Sequence, residues 1–458
     1  MSTLIALASL AVLILVLEIL NLRKTIVPLT LIGLLVALGL NVCDYDIPQS
    51  FFNHMIEVNN TTVLFNSLFI VLSFFIVALG QSFYKEHYEK ISDYTSLKIF
   101  LLIGAYCMTA FGNMVMFFLG LEILSITLYI LAGSDRLHIK SNEAGMKYFL
   151  MGSFASGFIL FGIALIYGAT GSFDTEQIQL ASQHLAMPRW FMVGFVLMLV
   201  GLLFKIAAFP FHFWAPDVYQ GAPLLTTTTM STLAKVAAVG AFYKLSVIFF
   251  PSMPANFVNL IAFLIMATLI VGNVMALKQN NIKRLMAYSG ISHAGFMLMA
   301  ILLGKGAEPY LFYYMTAYTL AGIAAFSVIL YVCQDKKEEL VIHFRGFAKH
   351  RPVLAVTLSL ALLSMAGIPI LAGFFGKLFL FTEALKQGFY TTVIIAVLTS
   401  IVSIYYYFKV IITMFTYKNA DAKIVYPKNA VYATVAVVTI ILNLIIGFCP
   451  SIIIDLFN

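Results

Sequence analysis

The sequence predicts an all-α integral membrane protein of about fourteen transmembrane helices, arranged as two inverted repeats that each contain a broken helix. Three observations carry that expectation. Of 458 residues, 62% are hydrophobic and only 10% charged, and the mean hydropathy of +0.98 lies far outside the range of soluble domains. Apolar runs near or above the ~17 to 25 residues that cross a bilayer recur along the whole chain, separated by short polar connectors. Strict alternation of apolar and polar residues is absent, so helices rather than a barrel are implied.

In order, Thr3–Leu20 is the first span. No basic residue precedes it and Arg23 and Lys24 follow it, so it reads as a retained helix and not a signal peptide. Thr25–Val42 and Thr62–Gly80 complete an N-terminal three-helix segment, residues 1–95. Leu97–Phe111, Met114–Ala132, Gly145–Gly168, Trp190–His212 and Leu224–Ser246 make a first repeat, helices 4–8, over residues 96–250. Asn256–Leu277, Leu285–Leu303, Tyr310–Val332, Pro352–Leu385 and Thr391–Phe415 make a second, helices 9–13, over 251–416. Val431–Gly447, inside residues 417–458, is the C-terminal helix. The whole is a single membrane domain.

The basic residues orient it. Arg23, Lys24, Lys85, Lys90, Arg136, Lys140, Lys147, Lys278, Lys283, Arg284, Lys336, Lys337, Arg345, Lys349, Arg351, Lys418, Lys423 and Lys428 fall in connectors of one side. Only Arg189, Lys305 and Lys386 fall on the other, and the positive-inside rule then puts both termini outside the cytoplasm. The net charge of +7 is thus a topological signal and not a nucleic-acid patch. Cys43, Cys107, Cys333 and Cys449 are scattered without a CxxC pair or clustered histidines, so no metal, cluster or disulfide framework is indicated. Phosphate-binding GxxxxGK[ST] and GxGxxG loops are missing as well.

Charges at mid-membrane depth are the unusual feature. A Lys or Asp at the centre of a spanning helix costs about 2.5 to 3.5 kcal/mol, so four such groups cost on the order of 10 to 14 kcal/mol before any pairing. Lys98, Lys244, Glu383 and Glu18 lie near predicted helix ends, where snorkelling to the interface explains them. Glu122 in FFLGLEILSITLY, Lys205 in LLFKIAAFPFHFW and Lys235 in STLAKVAAVG are too deep for that. Lys377, in AGIPILAGFFGKLFLF, has apolar residues on both sides. A structural ion pair and a proton-handling role are the two readings of these four.

Two helix breaks accompany the charges. Pro210 removes a backbone donor and must open its helix near Phe204 to Phe209, beside Lys205; Gly367, Pro369 and Gly373 make a second opening ahead of Lys377. Irregular backbone at this depth survives only where protein buries it or a wet cavity adjoins it. One discontinuous helix in each half is also the pattern of transporters built from two inverted repeats.

These stretches closely resemble a known family. FPFHFWAPDVYQGAP with the preceding LLFK, KRLMAYSGISHAGFML at Lys283–Leu298, and AGMKYFLMGSFASGFILFGIALIYGATGSFD at Ala144–Asp174 are similar to the antiporter-like membrane subunits of proton-pumping NADH-quinone oxidoreductase, respiratory complex I. The likeness runs from about Phe100 to Phe415. PDVYQGAP and a lysine in the twelfth helix look most like the subunit N family, to which mitochondrial NADH dehydrogenase subunit 2 is homologous. Subunit M carries a Glu where Lys377 stands, and subunit L has a long lateral helix after its spans. The large subunits of multisubunit sodium/proton antiporters share the fold.

The resemblance implies roles. Glu122 matches the fifth-helix glutamate, Lys205 the seventh-helix lysine that pairs with it, Lys235 the central eighth-helix lysine and Lys377 the twelfth-helix exit residue. His293 matches a histidine on the polar axis of some relatives, or is a hydrogen-bonded core residue. No cofactor is expected in this chain; NADH, FMN, iron-sulfur clusters and quinone belong on other subunits. The implied partners are subunit M, the small subunits K, J and A, and the lipid bilayer, in a bacterial inner membrane with both termini periplasmic. Lysine suits a relay because burial and a movable carboxylate can tune its proton affinity across neutral pH, whereas arginine does not release its proton. Each 100 mV of membrane potential costs about 2.3 kcal/mol per charge, a load that a switch of ~4 kcal/mol can drive. Two competing readings use the same residues: a chain of a cation/proton antiporter, alone or multisubunit, and a non-pumping spacer of the membrane arm.

Overall fold

The computed structural model describes residues 1–84, 89–184, 188–334, 336, 338–416, 426 and 429–457. Lys85, Lys337, Lys418, Lys423 and Lys428, used above for orientation, lie outside the described residues. The chain opens with α1 (Ser2–Ile19), α2 (Arg23–Cys43) and α3 (Asn60–Phe83). A hairpin of β1 (Gln49–Phe51) and β2 (Ile56–Val58), not anticipated from the sequence, sits between α2 and α3. Then come α4 (Ile91–Ala110), α5 (Met114–Ala132), α6 (Ile139–Thr170), α7 (Thr175–His184), α8 (Arg189–Lys205), α9 (Trp214–Gly221), α10 (Leu224–Thr229) and α11 (Lys235–Phe249). The second half holds α12 (Ala255–Ala276), α13 (Ile282–Leu303), α14 (Glu308–Cys333), α15 (Phe347–His350), α16 (Pro352–Ala366), α17 (Ala372–Lys386) and α18 (Tyr390–Phe415). The chain closes with α19 (Ala430–Phe448) and α20 (Ser451–Ile454).

Among the described residues, eleven helices are long and apolar enough to cross a membrane, counting α10 to α11 as one. The α8/α9 and α16/α17 pairs are the two anticipated broken helices. Matching pairs recur in the halves: α4 packs along α5 and α6 along α8, as α12 packs along α13 and α14 along α16 and α17. Apolar side chains cover the outer helices, while α13 and α14 are enclosed almost entirely and form the centre of the molecule.

Contacts sort the connectors onto two faces. The N-terminal amine lies 3.7 Å from Asp44, and the Tyr45 hydroxyl donates to Leu456 O at 2.7 Å, so both ends of the chain meet on one face. The hairpin is fixed there by Gly112 N to Met55 O and by the Lys244–Glu57 pair at 3.1 Å. On the opposite, basic face the strings singled out in the sequence meet. Arg284 of α13 pairs with Asp217 of α9 at 2.6 Å, and Lys147 of α6 reaches Glu143 at 2.6 Å and Asp217 at 3.6 Å. The buried Lys283 amine donates to Ala222 O and to Glu339, each at 2.9 Å. Lys140 pairs with Glu338 at 2.8 Å, and that hydrogen bond holds the exposed Glu338 carboxyl below its usual range.

One interfacial expectation fails. Lys98 does not snorkel; it is buried between α3 and α4, with Ile76 O at 3.5 Å and the Tyr84 ring 4.9 Å away. The turn at Gly80 makes the room, since a Cβ there would stand 2.8 Å from the amine. Glu18 pairs with Arg23 at 2.6 Å and Glu383 with Lys386 at 3.0 Å, both in the partly exposed positions expected of interfacial anchors.

Candidate functional site

The first break begins where the sequence places it. α8 ends at Lys205, and Ile206 to Phe213 are non-helical, with a cis Phe209–Pro210 bond and Ala207 at φ 58°. A helix end leaves its last carbonyls unbonded, and at this depth they need partners. Phe204 O receives the Trp214 indole N–H at 3.0 Å, and Phe209 N donates to Thr268 Oγ1 of α12 at 3.0 Å. The second break is built differently. α16 ends at Ala366, and Gly367 at φ 87° closes it with a bifurcated turn in which Gly367 N and Ile368 N return to Leu363 O. Pro369 and Ile370 then lead into α17.

Each break stands beside a lysine, and the second holds its amine against a helix C-terminus, the end that carries partial negative charge. Lys205 is itself the last residue of α8, and its amine donates to Ser125 Oγ at 2.7 Å and Tyr129 OH at 3.1 Å. Lys377, on α17, reaches back to the end of α16 and donates to Ala366 O at 2.9 Å and Met365 O at 3.2 Å. Ser400 Oγ of α18 lies 3.4 Å from the same amine and the Phe296 ring 4.5 Å away.

The expected direct pair of Glu122 with Lys205 is not formed: no ion pair joins the two among the described residues. Ser125 and Tyr129, about one and two turns along α5 from Glu122, take the amine instead. Glu122 Oε1 is buried and accepts no hydrogen bond. The residue as a whole is half-buried, at the edge of the stripe Leu119, Ile126 and Ile130 that α5 leaves exposed.

Lys235 follows a π-helical stretch, Met230–Ala234, between α10 and α11. The wider π turn displaces the backbone and frees a carbonyl, and Tyr318 OH donates to it at Ser231 O, 3.0 Å. The buried Lys235 amine donates to Gly290 O of α13 at 2.6 Å. Between Lys205 and Lys235 lies a cavity of about 20 Å³, lined among others by Ser125, Tyr148, Trp214 and Tyr219. One water occupies ~10 to 15 Å³ on this measure, so the space has room for a single molecule.

His293 stands on the far side of Lys235, three residues beyond Gly290 on α13. Its ring faces Tyr318 at 4.6 Å, and its nitrogens meet Tyr314 OH (Nδ1, 2.7 Å) and Tyr407 OH (Nε2, 3.2 Å). The structure therefore places Lys205, Lys235, His293 and Lys377 in succession through the interior, with Glu122 at the outer end. A cavity of about 850 Å³ enters from the basic face and ends at Ala222, Pro223 and Leu224, where α10 begins. Beyond it Thr226 to Thr229 and Thr232 are buried, each hydroxyl donating to a backbone carbonyl. Ser125, Tyr129, Gly290 and Tyr318 were not singled out from the sequence. The i+3 and i+7 spacing of Ser125 and Tyr129 from Glu122 was the available signal for two of them. Among the described residues no His/Cys/Asp/Glu group could hold a metal ion.

Residues 112–403 match the family described as NADH:quinone oxidoreductase/Mrp antiporter, TM. A protein of Flavobacterium psychrophilum named NADH-quinone oxidoreductase subunit N is 52% identical over 456 residues, covering 100% of both chains. Among solved structures, a chain of respiratory complex I from Thermus thermophilus with bound aureothin superposes with a TM-score of 0.85 at 30% identity, over 99% of this chain and 98% of that one. A chain of the Mrp complex from Dietzia sp. DQ12-45-1b shares the fold, with a TM-score of 0.85 at 20% identity over 99% and 94% of the two chains.

Proposed function

The chain belongs to the family of antiporter-like membrane subunits shared by NADH:quinone oxidoreductases and Mrp antiporters, in its subunit N branch, and on that premise we propose how it moves protons. Protons are loaded at Lys205, pass through one water to Lys235, continue past His293 and leave from Lys377. The observation that carries this reading is the water-sized gap between the first two amines, in line with a buried histidine and a third amine. Each amine is held by hydroxyl or carbonyl oxygens, which leave its proton free to be exchanged; a tight carboxylate partner would trap it.

Glu122 acts as the movable carboxylate. With its orphaned oxygen at an exposed apolar stripe, it is placed to sense a neighbouring membrane subunit and to swing toward Lys205. Subunit M and the small subunits K, J and A are the proposed neighbours. NADH, FMN, iron-sulfur clusters and quinone act on other chains, and this chain contributes translocation to the enzyme without a redox site of its own. The basic face is proposed as the cytoplasmic side of a bacterial inner membrane, which makes the 850 Å³ cavity the uptake vestibule and both termini periplasmic.

The test is Lys205→Ala and Glu122→Ala in the assembled complex. Proton pumping and coupled quinone reduction should fall while NADH oxidation by an artificial acceptor stays normal. An unchanged proton-to-electron stoichiometry in a correctly assembled variant would refute the relay and favour a spacer. Cation/proton exchange by the purified single chain in liposomes would favour a self-sufficient antiporter.

A further inference from the structure

α18 carries no mid-membrane charge, yet one of its faces touches both ends of the gap between His293 and Lys377. Near its middle Ser400 Oγ lies 3.4 Å from the Lys377 amine; seven residues on, Tyr407 OH meets His293 Nε2 at 3.2 Å and also bonds Ser289 Oγ of α13. Seven residues are about two turns, so both side chains lie on the same face, and helical side chains lean toward the N-terminus, here toward Ser400. Ser403 lies between them on that face and donates to Ser400 O at 2.6 Å. α14 makes the matching approach from the other side. Tyr318 stands over Lys235 at Gly290, and one turn away Tyr314 binds His293 Nδ1 at 2.7 Å.

We propose that Tyr407, poised by Ser289, is the relay partner of His293 toward Lys377, so that α18 carries the second half of the proton path. The inference rests on the relay reading above. Both imidazole nitrogens face hydroxyls, each of which can donate or accept. In one tautomer Nδ1–H donates to Tyr314 and Tyr407 donates to Nε2; in the other, Tyr314 donates to Nδ1, Nε2–H donates to Tyr407, and Tyr407 donates to Ser289. Every partner stays bonded in both.

A transfer event balances as follows. Tyr314 gives its phenolic proton to Nδ1 and takes one from the Lys235 side. The Nε2–H bond breaks and its proton goes to the Tyr407 oxygen, whose own O–H turns from Ser289 and releases its proton along α18 to a neutral Lys377 amine. The ring ends in the opposite tautomer and must reset before the next proton follows, which makes it a one-proton valve.

Tyr405, on the exposed outer face of α18, provides the control. In the assembled complex in membrane vesicles, Tyr407→Phe keeps the ring and removes the hydroxyl. Pumping should fall about tenfold or more, with an altered solvent deuterium isotope effect on quinone reduction, while Tyr405→Phe behaves as wild type. Ser289→Ala should slow pumping several-fold and serves as the readout if Tyr407→Phe does not assemble. Wild-type rate and isotope effect in Tyr407→Phe, or in Ser289→Ala where it stands in, overturn the proposal. If Lys377→Met still stops pumping, the relay survives and only the α18 path is lost; if Lys377→Met also pumps normally, the relay itself fails.

Discussion

Gly290→Ala places one methyl group at the narrowest point of the path. The added Cβ would stand 3.0 Å from Lys235 Nζ and 3.4 Å from Tyr318 OH, so it enters the space between the amine and the first tyrosine. Carbon contacts relax near ~3.5 Å, and the amine must therefore withdraw by a few tenths of an ångström from its 2.6 Å bond to Gly290 O. A hydrogen bond from a charged group contributes about 1.5 to 3 kcal/mol, and alanine in place of glycine in a helix interior returns about 1 kcal/mol. The propensity gain bears on folding and not on passage; weakening or losing the bond, up to ~3 kcal/mol, corresponds to passage slower by up to about 100-fold at ~1.4 kcal/mol per decade. NADH-driven acidification of inverted vesicles, normalised to NADH oxidation by an artificial acceptor, measures it. The variant should assemble normally. Full-rate pumping in Gly290→Ala would show that protons do not cross between Lys235 and Tyr318.

Two further outcomes follow from the same geometry. Trp214→Phe removes the donor to Phe204 O and leaves a buried carbonyl unsatisfied at the first break, a loss of about 1 to 3 kcal/mol that should appear as a lower unfolding temperature of the purified complex. Lys98→Met removes a buried amine whose protein acceptor lies at 3.5 Å, so stability should hold or rise and pumping should be unaffected; lost pumping would place Lys98 on the proton path.

Sequence reading reached the crossings, both breaks and the order of the deep charges because each is a one-dimensional signal. Apolar length gives the spans, Pro210 and Pro369 give the breaks, and a lysine inside an apolar run is conspicuous wherever it occurs. What it missed depends on rotation and depth between helices. Lys98 looks interfacial when counted from its helix end, but α3 packs over it at Gly80 and encloses it. Glu122 and Lys205 look like a pair because their roles in the family are paired; in the fold the amine finds Ser125 and Tyr129 first, and both are unremarkable letters in an apolar helix. The strings PDVYQGAP and KRLMAYSG stood out without an evident task. In space they are the two sides of one joint, since Arg284 bonds Asp217 and Gln220 while Lys283 caps Ala222 O.

The second break also explains why a lysine, and not a carboxylate, occupies the Lys377 end of the path. A helix interrupted at mid-depth exposes the negative end of its dipole, equivalent to about half an elementary charge. An ammonium there is stabilised by oxygens that cannot take its proton, as Ala366 O and Met365 O hold Lys377. A carboxylate in the same place would be repelled by that end and would hold a proton too firmly to pass it on. Break and amine are thus one device, and the acidic member, Glu122, belongs away from the helix ends and near the surface, where a neighbouring chain can move it. Lys235 has no broken helix beside it: its amine takes the buried Gly290 carbonyl of α13, while the π stretch at Met230–Ala234 gives its Ser231 carbonyl to Tyr318. It follows that straightening that stretch by deleting one residue between Met230 and Ala234 would turn the amine about 100° off the path, whatever its effect on folding.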